Sequence, residues 1–146
     1  KIMGTRSLTF IKEKHDKEYS INMYKQYDGY PDGYGLDLAK YLNKFTIVNG
    51  FSMSDERKIA NGVSCLIAQL VSNFKQDNVG GIYIYPTSEK NCGQEYEYHI
   101  SVDDTTGKIE IYVKENGYVI DDKYIDDTRI IFKGSPTEFI KKYSKW

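Results

Sequence analysis

Four short segments in the second half of the chain alternate polar and apolar residues with a period of two. They are I-Y-I-Y at 82–85, E-Y-E-Y-H-I-S-V at 95–102, K-I-E-I-Y-V at 108–113 and R-I-I-F-K at 129–133. This period places successive side chains on opposite faces of a strand, and T-T-G at 105–107 has the composition of a hairpin turn. Residues 5–11 and 19–27 repeat the alternation and predict a further hairpin at the start of the chain.

The longest helical pattern lies in the middle of the chain. From Ile59 to Phe74, apolar residues form one continuous stripe at the spacing of a helix face. Ser54 is the predicted N-cap of this helix. Gly62 then lies inside it, where glycine costs about 1 kcal/mol relative to alanine. Either another backbone passes close to Gly62 or, as we favour, burial of the stripe outweighs the cost.

Two shorter helices are predicted on either side of this one. Leu38, Leu42 and Phe45 fall on one face of a helix. The phrase S-P-T-E at 135–138 is a capping box with proline at the first helical position, and it predicts a closing helix. The residues expected on the apolar face of that helix are Phe139, Tyr143 and Trp146.

The predicted order of elements is ββααββββα, without alternating β-α-β units. This order indicates an α+β fold, with an antiparallel sheet and helices packed on one face. A length of 146 residues suits a single domain, expected to span 3–146 with residues 1–2 as a cloning remnant ahead of Met3. The acidic segment D-D-K-Y-I-D-D at 121–127 is expected to form a solvated hairpin loop.

Charge and hydropathy exclude several classes of partner. The formal net charge is -1, whereas binding to duplex nucleic acid needs clustered lysine or arginine. No apolar run approaches the roughly 20 residues of a membrane helix, and the N-terminus lacks a secretory pattern. We therefore expect no duplex nucleic acid and no membrane as partner, a cytoplasmic location, and reduced thiols at Cys65 and Cys92.

The phrase D-G-Y occurs twice in Y-D-G-Y-P-D-G-Y-G-L at 27–36. Asp-Gly pairs and Pro31 are typical of turns, so a pair of turns is one interpretation. A ligand-binding loop is the other, because the tyrosines are larger than a connector needs, glycines let a ligand approach the backbone, and a helix N-terminus favours an anion. The loop residues predicted to bind the ligand are Tyr27, Asp28, Tyr30, Asp32, Gly33 and Tyr34.

Arginine is rare in this chain, which otherwise uses lysine. If Arg6 and Arg57 met the D-G-Y loop, they would form a clamp for an anion. The alternative is that Arg6 pairs with an aspartate of the loop and braces it. The other residues of the predicted ligand-binding set are Asn61, Gln94 and His99.

The phrase C-G-Q-E-Y-E-Y-H at 92–99 raises the question of catalysis. Cys92 and His99 could act as nucleophile and base, but alternation places His99 on a strand and Cys92 in the preceding loop. We therefore interpret His99 as an exposed or hydrogen-bonded side chain. Glu95, Glu97 and His99 share one strand face, which suits a cation or, equally, a solvated surface.

No cofactor or metal motif is recognised. Asp28 and Asp32 are four residues apart, but the calcium loop that would include them needs a ligand where Ala39 stands. No Gly-Lys-Ser/Thr follows the loop, which excludes a phosphate-binding P-loop. We predict no metal, no cofactor and no catalytic residue.

Tyrosine is unusually frequent, with 14 residues against 6 phenylalanines. Tyr24, Tyr83 and Tyr85 are predicted on the sheet face away from the helices. Such a face could stack a base, pack against a second subunit or contact another protein. Because helices can cover only one face, we expect a homo-oligomer.

Four phrases form a specific set: G-T-R-S-L at 4–8, N-M-Y-K-Q-Y-D-G-Y-P-D-G-Y-G at 22–35, K-I-A-N-G at 58–62 and C-G-Q-E-Y-E-Y-H at 92–99. Together they resemble a family of short, uncharacterised proteins of phage and bacterial genomes, over nearly the whole chain. The resemblance brings no established activity and no assigned catalytic residues. It implies an accessory protein of a phage or mobile element, acting in the host cytoplasm.

The leading hypothesis is a non-enzymatic binding protein for a small anionic, nucleotide-derived ligand. In the phage setting that the resemblance implies, such a protein would sequester a host defence signal. One alternative is a small enzyme acting on a nucleotide-like substrate, with Asp28, Asp32, Cys92 or His99 in the reaction. Another is a protein-interaction module whose tyrosine face binds a host protein.

Overall fold

The computed structural model describes residues 4–144. Its elements, in chain order, are β1 Ser7–Glu13, β2 Ile21–Lys25, α1 Leu36–Leu42, β3 Thr46–Val48, β4 Ile59–Asn61, α2 Gly62–Lys75, β5 Ile82–Tyr85, β6 Tyr96–Val102, β7 Ile109–Ile120, β8 Lys123–Gly134 and α3 Pro136–Tyr143. A π-helical turn, Pro31–Gly35, leads directly into α1. Within the described residues, no helix has both the length and the apolar character needed to cross a membrane. The predicted start at Met3 and the predicted position of Trp146 lie outside the described residues.

Six strands form one sheet in the order β5-β2-β1-β6-β7-β8. Neighbours are antiparallel except β1 and β6, which run parallel from Ser7 beside Tyr96 to Glu13 beside Val102. The fold is therefore α+β with a mixed sheet, and the prediction of a purely antiparallel sheet was wrong. The alternation of side chains shows that a segment is a strand but carries no information about its direction. The direction of β6 follows from the path of the chain. After β5 at one edge of the sheet, the chain crosses to the position beside β1, where β6 runs in the same direction as β1.

The main core lies between the sheet and the helices. Its buried residues include Ile11, Met23, Leu38, Leu42, Leu66, Leu70, Tyr98, Ile100, Val113 and Phe139. Ile21 and Met23 face this core as predicted. Burying one such side chain contributes roughly 1.5–3 kcal/mol. The helix-free face carries a smaller cluster of Leu8, Phe10 and Tyr24, which no helix covers.

The prediction for the long helix was wrong at its start. α2 begins at Gly62 and not after Ser54, and β4 precedes it, pairing in parallel with β3. Gly62 has a φ of +79°, in the left-handed region that an α-helix interior does not use. No atom from another part of the chain lies within 4 Å of where its Cβ would be, so no other backbone passes close to it. As the first residue of α2, Gly62 is also not in the helix interior where the sequence interpretation placed it. The observed order is ββαββαββββα.

The acidic segment at 121–127 was also predicted incorrectly, because most of it is a strand. Only Asp121 and Asp122 form the turn, with φ values of 50° and 63°. A two-residue hairpin turn of type I′ has positive φ at both positions, and aspartate tolerates that region better than most residues. β7 and β8 are therefore much longer than the predicted segments.

The closing helix follows its local signal. The Ser135 hydroxyl accepts a hydrogen bond from the Glu138 amide at 3.1 Å, and Glu138 accepts one from the Ser135 amide at 2.8 Å. Phe139 is buried against Phe132, with ring centroids 4.9 Å apart. Here both the cap and the apolar face are encoded within a few residues.

We expect Gly62→Ala to destabilise the protein. In a helix interior the change would stabilise by about 1 kcal/mol, but a left-handed backbone makes it cost about 1–2 kcal/mol. Urea unfolding measures the sign, with Ser64→Ala, an exposed position in the first turn of the same helix, as the control. If Gly62→Ala instead stabilised the protein, Gly62 would lie in a helix interior, as the sequence predicted.

Candidate functional site

The tyrosines of the D-G-Y loop do not form one binding surface. Tyr34 is 2% exposed, and its hydroxyl lies 2.7 Å from the Thr9 hydroxyl. Its ring packs edge-on against Phe74 and Tyr98, each at 5.3 Å between centroids. This leaves Tyr34 no open ring face on which a ligand could stack.

The backbone of the same loop is largely occupied by hydrogen bonds within the protein. The Gly33 and Gly35 amides donate to the Tyr30 carbonyl, and the Tyr34 amide donates to the Asp28 carbonyl. These three amides are therefore not free to bind an anion. A Cβ at Gly29 would lie 2.7 Å from the Ser7 Cβ, so this glycine serves close packing onto β1.

Two tyrosines of the loop remain accessible. Tyr27 is 54% exposed and Tyr30 is 38% exposed. The Tyr30 hydroxyl lies 3.4 Å from an Asp28 carboxylate oxygen, and Asp32 is also exposed. The accessible part of the loop is therefore aromatic and negatively charged.

The two arginines of the predicted clamp lie elsewhere. Arg57 donates two hydrogen bonds to Asp55, at 3.0 and 2.6 Å, and these hydrogen bonds lower the pKa of Asp55 to about 2. Arg6 lies on the helix-free face, where a Cβ at Gly93 would be 2.7 Å from its guanidinium. Within residues 4–144, neither arginine forms an ion pair with the D-G-Y loop.

Asn61 does not lie on the polar face of a helix. It is the last residue of β4, and its side-chain oxygen accepts a hydrogen bond of 2.7 Å from the Gly50 amide. That bond joins β4 to the connection after β3. The observed role of Asn61 is therefore structural.

Residues 86–94 lie across the helix-free face, and we call them the crossing segment. Asn22, buried on that face, donates to the Pro86 and Glu89 carbonyls at 3.2 and 2.8 Å. Gln94 closes the other end: its side chain accepts from the Cys92 amide and donates to the Lys90 carbonyl, each at 2.8 Å. Gln94 thus holds the segment in place.

His99 lies beneath this segment in a polar network. Its Nδ1 is 2.9 Å from the Tyr19 hydroxyl and its Nε2 is 3.0 Å from Glu97. The ring lies between Phe10, 5.1 Å away, and Tyr112, 4.5 Å away. Since a carboxylate anchors one nitrogen and a phenol the other, the orientation of the imidazole is determined.

Glu97 is the charge at the centre of this network. Its Oε2 accepts hydrogen bonds of 2.9 Å from both Gln94 and Asn116. Burial opposes its ionisation, but the hydrogen bonds from His99, Asn116 and Gln94 outweigh burial and lower the pKa to about 2. The network joins β6, β7, the crossing segment and the β1–β2 connection.

Cys92 and His99 do not form a catalytic pair in the described part of the chain. Both ring nitrogens of His99 are already bonded to other residues. Burial and the nearby Glu89 carboxylate raise the pKa of Cys92, which keeps it a thiol and a weak nucleophile. The hydrogen-bonded interpretation of His99 agrees with these contacts.

A basic pocket opens beside this network. It has a volume of about 280 Å³ and lies between the β1–β2 connection and the crossing segment. Its lining residues are Lys17, Glu18, Tyr19, Thr87, Ser88 and Lys90. The Lys90 ammonium is 5.9 Å from the centroid of the Tyr19 ring, and Lys12 approaches the same ring at 5.6 Å.

Sequence reasoning missed this pocket. Lys17 and Lys90 come from segments about seventy residues apart, and neither belongs to a motif. Only the pairing of β1 with its neighbours brings the two segments together. The sequence offered one relevant feature, the aromatic residue Tyr19 beside polar turn residues. By itself, that feature does not indicate a binding site.

The predicted tyrosine cluster on the helix-free face is present. The Tyr24 ring lies 6.0 Å from Tyr83 and 5.4 Å from Tyr85. Tyr24 is buried, whereas Tyr83 is 45% exposed. The crossing segment starts directly after this cluster and covers part of the face.

One group of side chains has metal-ligand spacing: ligand atoms of Glu13, His15 and Asp103 lie within 4.8 Å of one another. Both carboxylates already accept backbone hydrogen bonds, and the Lys14 ammonium is 3.9 Å from Asp103. A nearby cation disfavours a metal ion, so we assign none here.

No family model, curated protein or solved structure matches this chain. The function proposed below therefore rests on the geometry of the helix-free face.

Tyr34→Phe should destabilise the protein by about 1–3 kcal/mol, because it leaves the buried Thr9 hydroxyl without a partner. Tyr27→Phe, at an exposed position, should change the free energy of unfolding by less than about 0.5 kcal/mol. Denaturant unfolding of both variants measures the difference. Equal effects would contradict the placement of Tyr34 in the core.

Acid should destabilise the protein partly through Glu97. A carboxyl group whose pKa falls on folding contributes stability above its ordinary pKa of 4.5, and that contribution is lost as the pH falls towards about 2. We expect the free energy of unfolding of Glu97→Gln to change less over this range than that of the wild type. Glu95→Gln, exposed two residues earlier, is the control and should follow the wild type.

Proposed function

We propose that this protein binds a small anionic, nucleotide-derived ligand in the basic pocket and does not convert it. The observation that carries the proposal is that Lys17 and Lys90 line the same pocket as Tyr19, with the Lys90 ammonium close to the Tyr19 ring. Two lysines and one carboxylate, that of Glu18, line the pocket, so positive charge is in excess in its lining. The chain as a whole has a net charge of -1, so this excess is local.

The hydrogen-bond donors of the pocket suit a phosphate group. Thr87 and Ser88 add two hydroxyl donors to the two ammonium groups. Charge-assisted hydrogen bonds to such an anion are roughly twice as strong as neutral ones. Because both lysines are exposed, binding should weaken as salt screens their charges.

The aromatic wall supports a ligand that also carries a ring. Burial raises the pKa of Tyr19 well above its usual value, so the hydroxyl stays neutral and does not repel an anion. His99, itself held by Glu97, hydrogen-bonds that hydroxyl, which limits the rotamers of the ring before a ligand binds. A volume of about 280 Å³ is near the low end of ligand sites, roughly 300–1,000 Å³, and suits one nucleotide-sized group.

The D-G-Y loop is a competing place for the same ligand. Tyr27 and Tyr30 offer exposed rings there. However, the charged side chains of the loop itself are Asp28 and Asp32, and both would repel an anion. We therefore favour the basic pocket.

The alternative functions have weaker support. An enzyme would need a free acid, base or nucleophile, whereas His99 is bonded at both nitrogens and Cys92 is held as a thiol. A protein-interaction module is favoured by the exposure of Tyr83 and Ile84, at 45% and 53%, on an edge strand. As a phage accessory protein, the ligand-binding protein would act by sequestering a host defence signal.

Mass spectrometry of the small molecules released from the denatured protein tests the proposal directly. We expect one anionic ligand per chain in wild-type protein purified from a host cell. A Lys17→Ala and Lys90→Ala double variant should retain less than about a tenth of it, since each lysine contributes a charge-assisted contact. Lys40→Ala, an exposed lysine on α1, is the matched control and should retain all of it.

Three results would contradict this assignment, each in a different way. Loss of the ligand in Tyr30→Ala but not in the double variant would move the site to the D-G-Y loop. Conversion of the ligand with turnover would favour the enzyme. An empty protein with no thermal shift across a nucleotide panel would favour the interaction module.

A further inference from the structure

A second cavity, of about 630 Å³, lies on the helix side of the sheet, away from the basic pocket. It is bordered by the π-helical turn at Pro31 and Asp32, by α3 at Lys142 and Tyr143, and by the strands β6, β7 and β8. A volume of this size falls within the roughly 300–1,000 Å³ of small-molecule sites. The chemistry of the lining indicates which kind of ligand it suits.

The strands give the cavity an electrically neutral floor. Tyr96, Glu115 and Arg129 stand side by side on β6, β7 and β8. Arg129 binds the Glu115 carboxylate through two nitrogens, each at 2.8 Å, and the Tyr96 hydroxyl donates to the same carboxylate at 3.2 Å. Burial and the Glu115 carboxylate raise the pKa of Tyr96 to about 12, so the phenol carries no charge. The floor therefore offers a ligand no net charge.

The two sides of the cavity carry opposite charges that do not meet. Asp32 lies on the π-helical turn and Lys142 on α3, and both side chains are exposed. Among the residues that the structure describes, neither forms an ion pair. The Lys142 ammonium donates a hydrogen bond to the Ile131 carbonyl at 2.9 Å, and an ammonium has three donors. One side thus offers an anionic acceptor and the other side a cationic donor.

Apolar side chains line the remainder of the cavity. They are those of Pro31, Ile130, Ile131 and Tyr143. Apolar and aromatic walls with a few placed polar groups are typical of ligand sites. β8 is also the last strand of the sheet, so its backbone groups beside the cavity can bond the amides of an extended chain.

We propose that this cavity binds a short peptide with free termini, whose ammonium pairs with Asp32 and whose carboxylate pairs with Lys142. An anion alone would be repelled by Asp32, and a cation alone would be repelled by Lys142. A zwitterion supplies each of these charges with a partner. A peptide suits the site better than a single amino acid, because Asp32 and Lys142 do not reach each other and a peptide holds its own two charges apart.

Isothermal titration calorimetry with the dipeptide phenylalanyl-leucine tests this site. The free dipeptide should bind with a stoichiometry of one per chain. Its N-acetylated form lacks the ammonium and its methyl ester lacks the carboxylate, so each should bind about tenfold more weakly or worse. Equal affinities for the three forms, or no binding of either phenylalanyl-leucine or leucyl-phenylalanine, would overturn the proposal.

Substitutions assign each end of the peptide to its side chain. Asp32→Asn should weaken binding of the free dipeptide by about tenfold, without weakening that of the N-acetylated form, which has no ammonium to pair. Lys142→Gln should do the same for the carboxylate, without weakening binding of the methyl ester.

The matched controls are Asp37→Asn and Lys141→Gln, which change exposed charges on α1 and α3 outside the cavity lining. Both should bind the dipeptide as the wild type does, and melting curves verify that every variant is folded. If the controls weaken binding as much as Asp32→Asn and Lys142→Gln do, the peptide does not lie in this cavity.

Discussion

The parallel pairing of β1 with β6 organises both faces of the sheet. Its register places Phe10 beside His99 on the helix-free face and Thr9 beside Tyr98 on the helix side. The first pair leads to the polar network, because His99 stacks on Phe10 and binds Tyr19. The second supports the D-G-Y loop, because Thr9 bonds Tyr34 and the Tyr98 hydroxyl donates to the Gly29 carbonyl at 2.6 Å. A slip of one residue would exchange the two faces.

The two faces are stabilised by different interactions. On the helix side, burial of large apolar side chains supplies the driving force, and the buried Tyr34 hydroxyl has a hydrogen-bond partner in the Thr9 hydroxyl. On the helix-free face, a loop takes the place of a helix and is held by side-chain hydrogen bonds from Asn22 and Gln94. This arrangement keeps a polar, partly open surface next to a rigid network, which is where the basic pocket forms.

Local sequence signals predicted well where the physics is local. The capping box at Ser135 needs only residues within one turn, and it is present in the structure. The start of α2 was predicted incorrectly because an apolar stripe carries no information about backbone conformation. Gly62, in the left-handed region, interrupts the continuous helix that the stripe predicts. Tyr34 was assigned to a ligand because sequence alone cannot distinguish an amphipathic ring at the surface from one with a buried hydroxyl partner.

By itself, the sequence determined the presence of the six strands of the main sheet, the closing helix, the apolar face of α2 and the placement of Tyr24, Tyr83 and Tyr85 together on one face. Each of these follows from side-chain period or from contacts within a few residues. Only the tertiary structure decided the direction of β6, the separation of Arg6 and Arg57 from the D-G-Y loop, and the meeting of Lys17 with Lys90. These features depend on which strands become neighbours, and that choice is made by burial of the whole core rather than by any single segment.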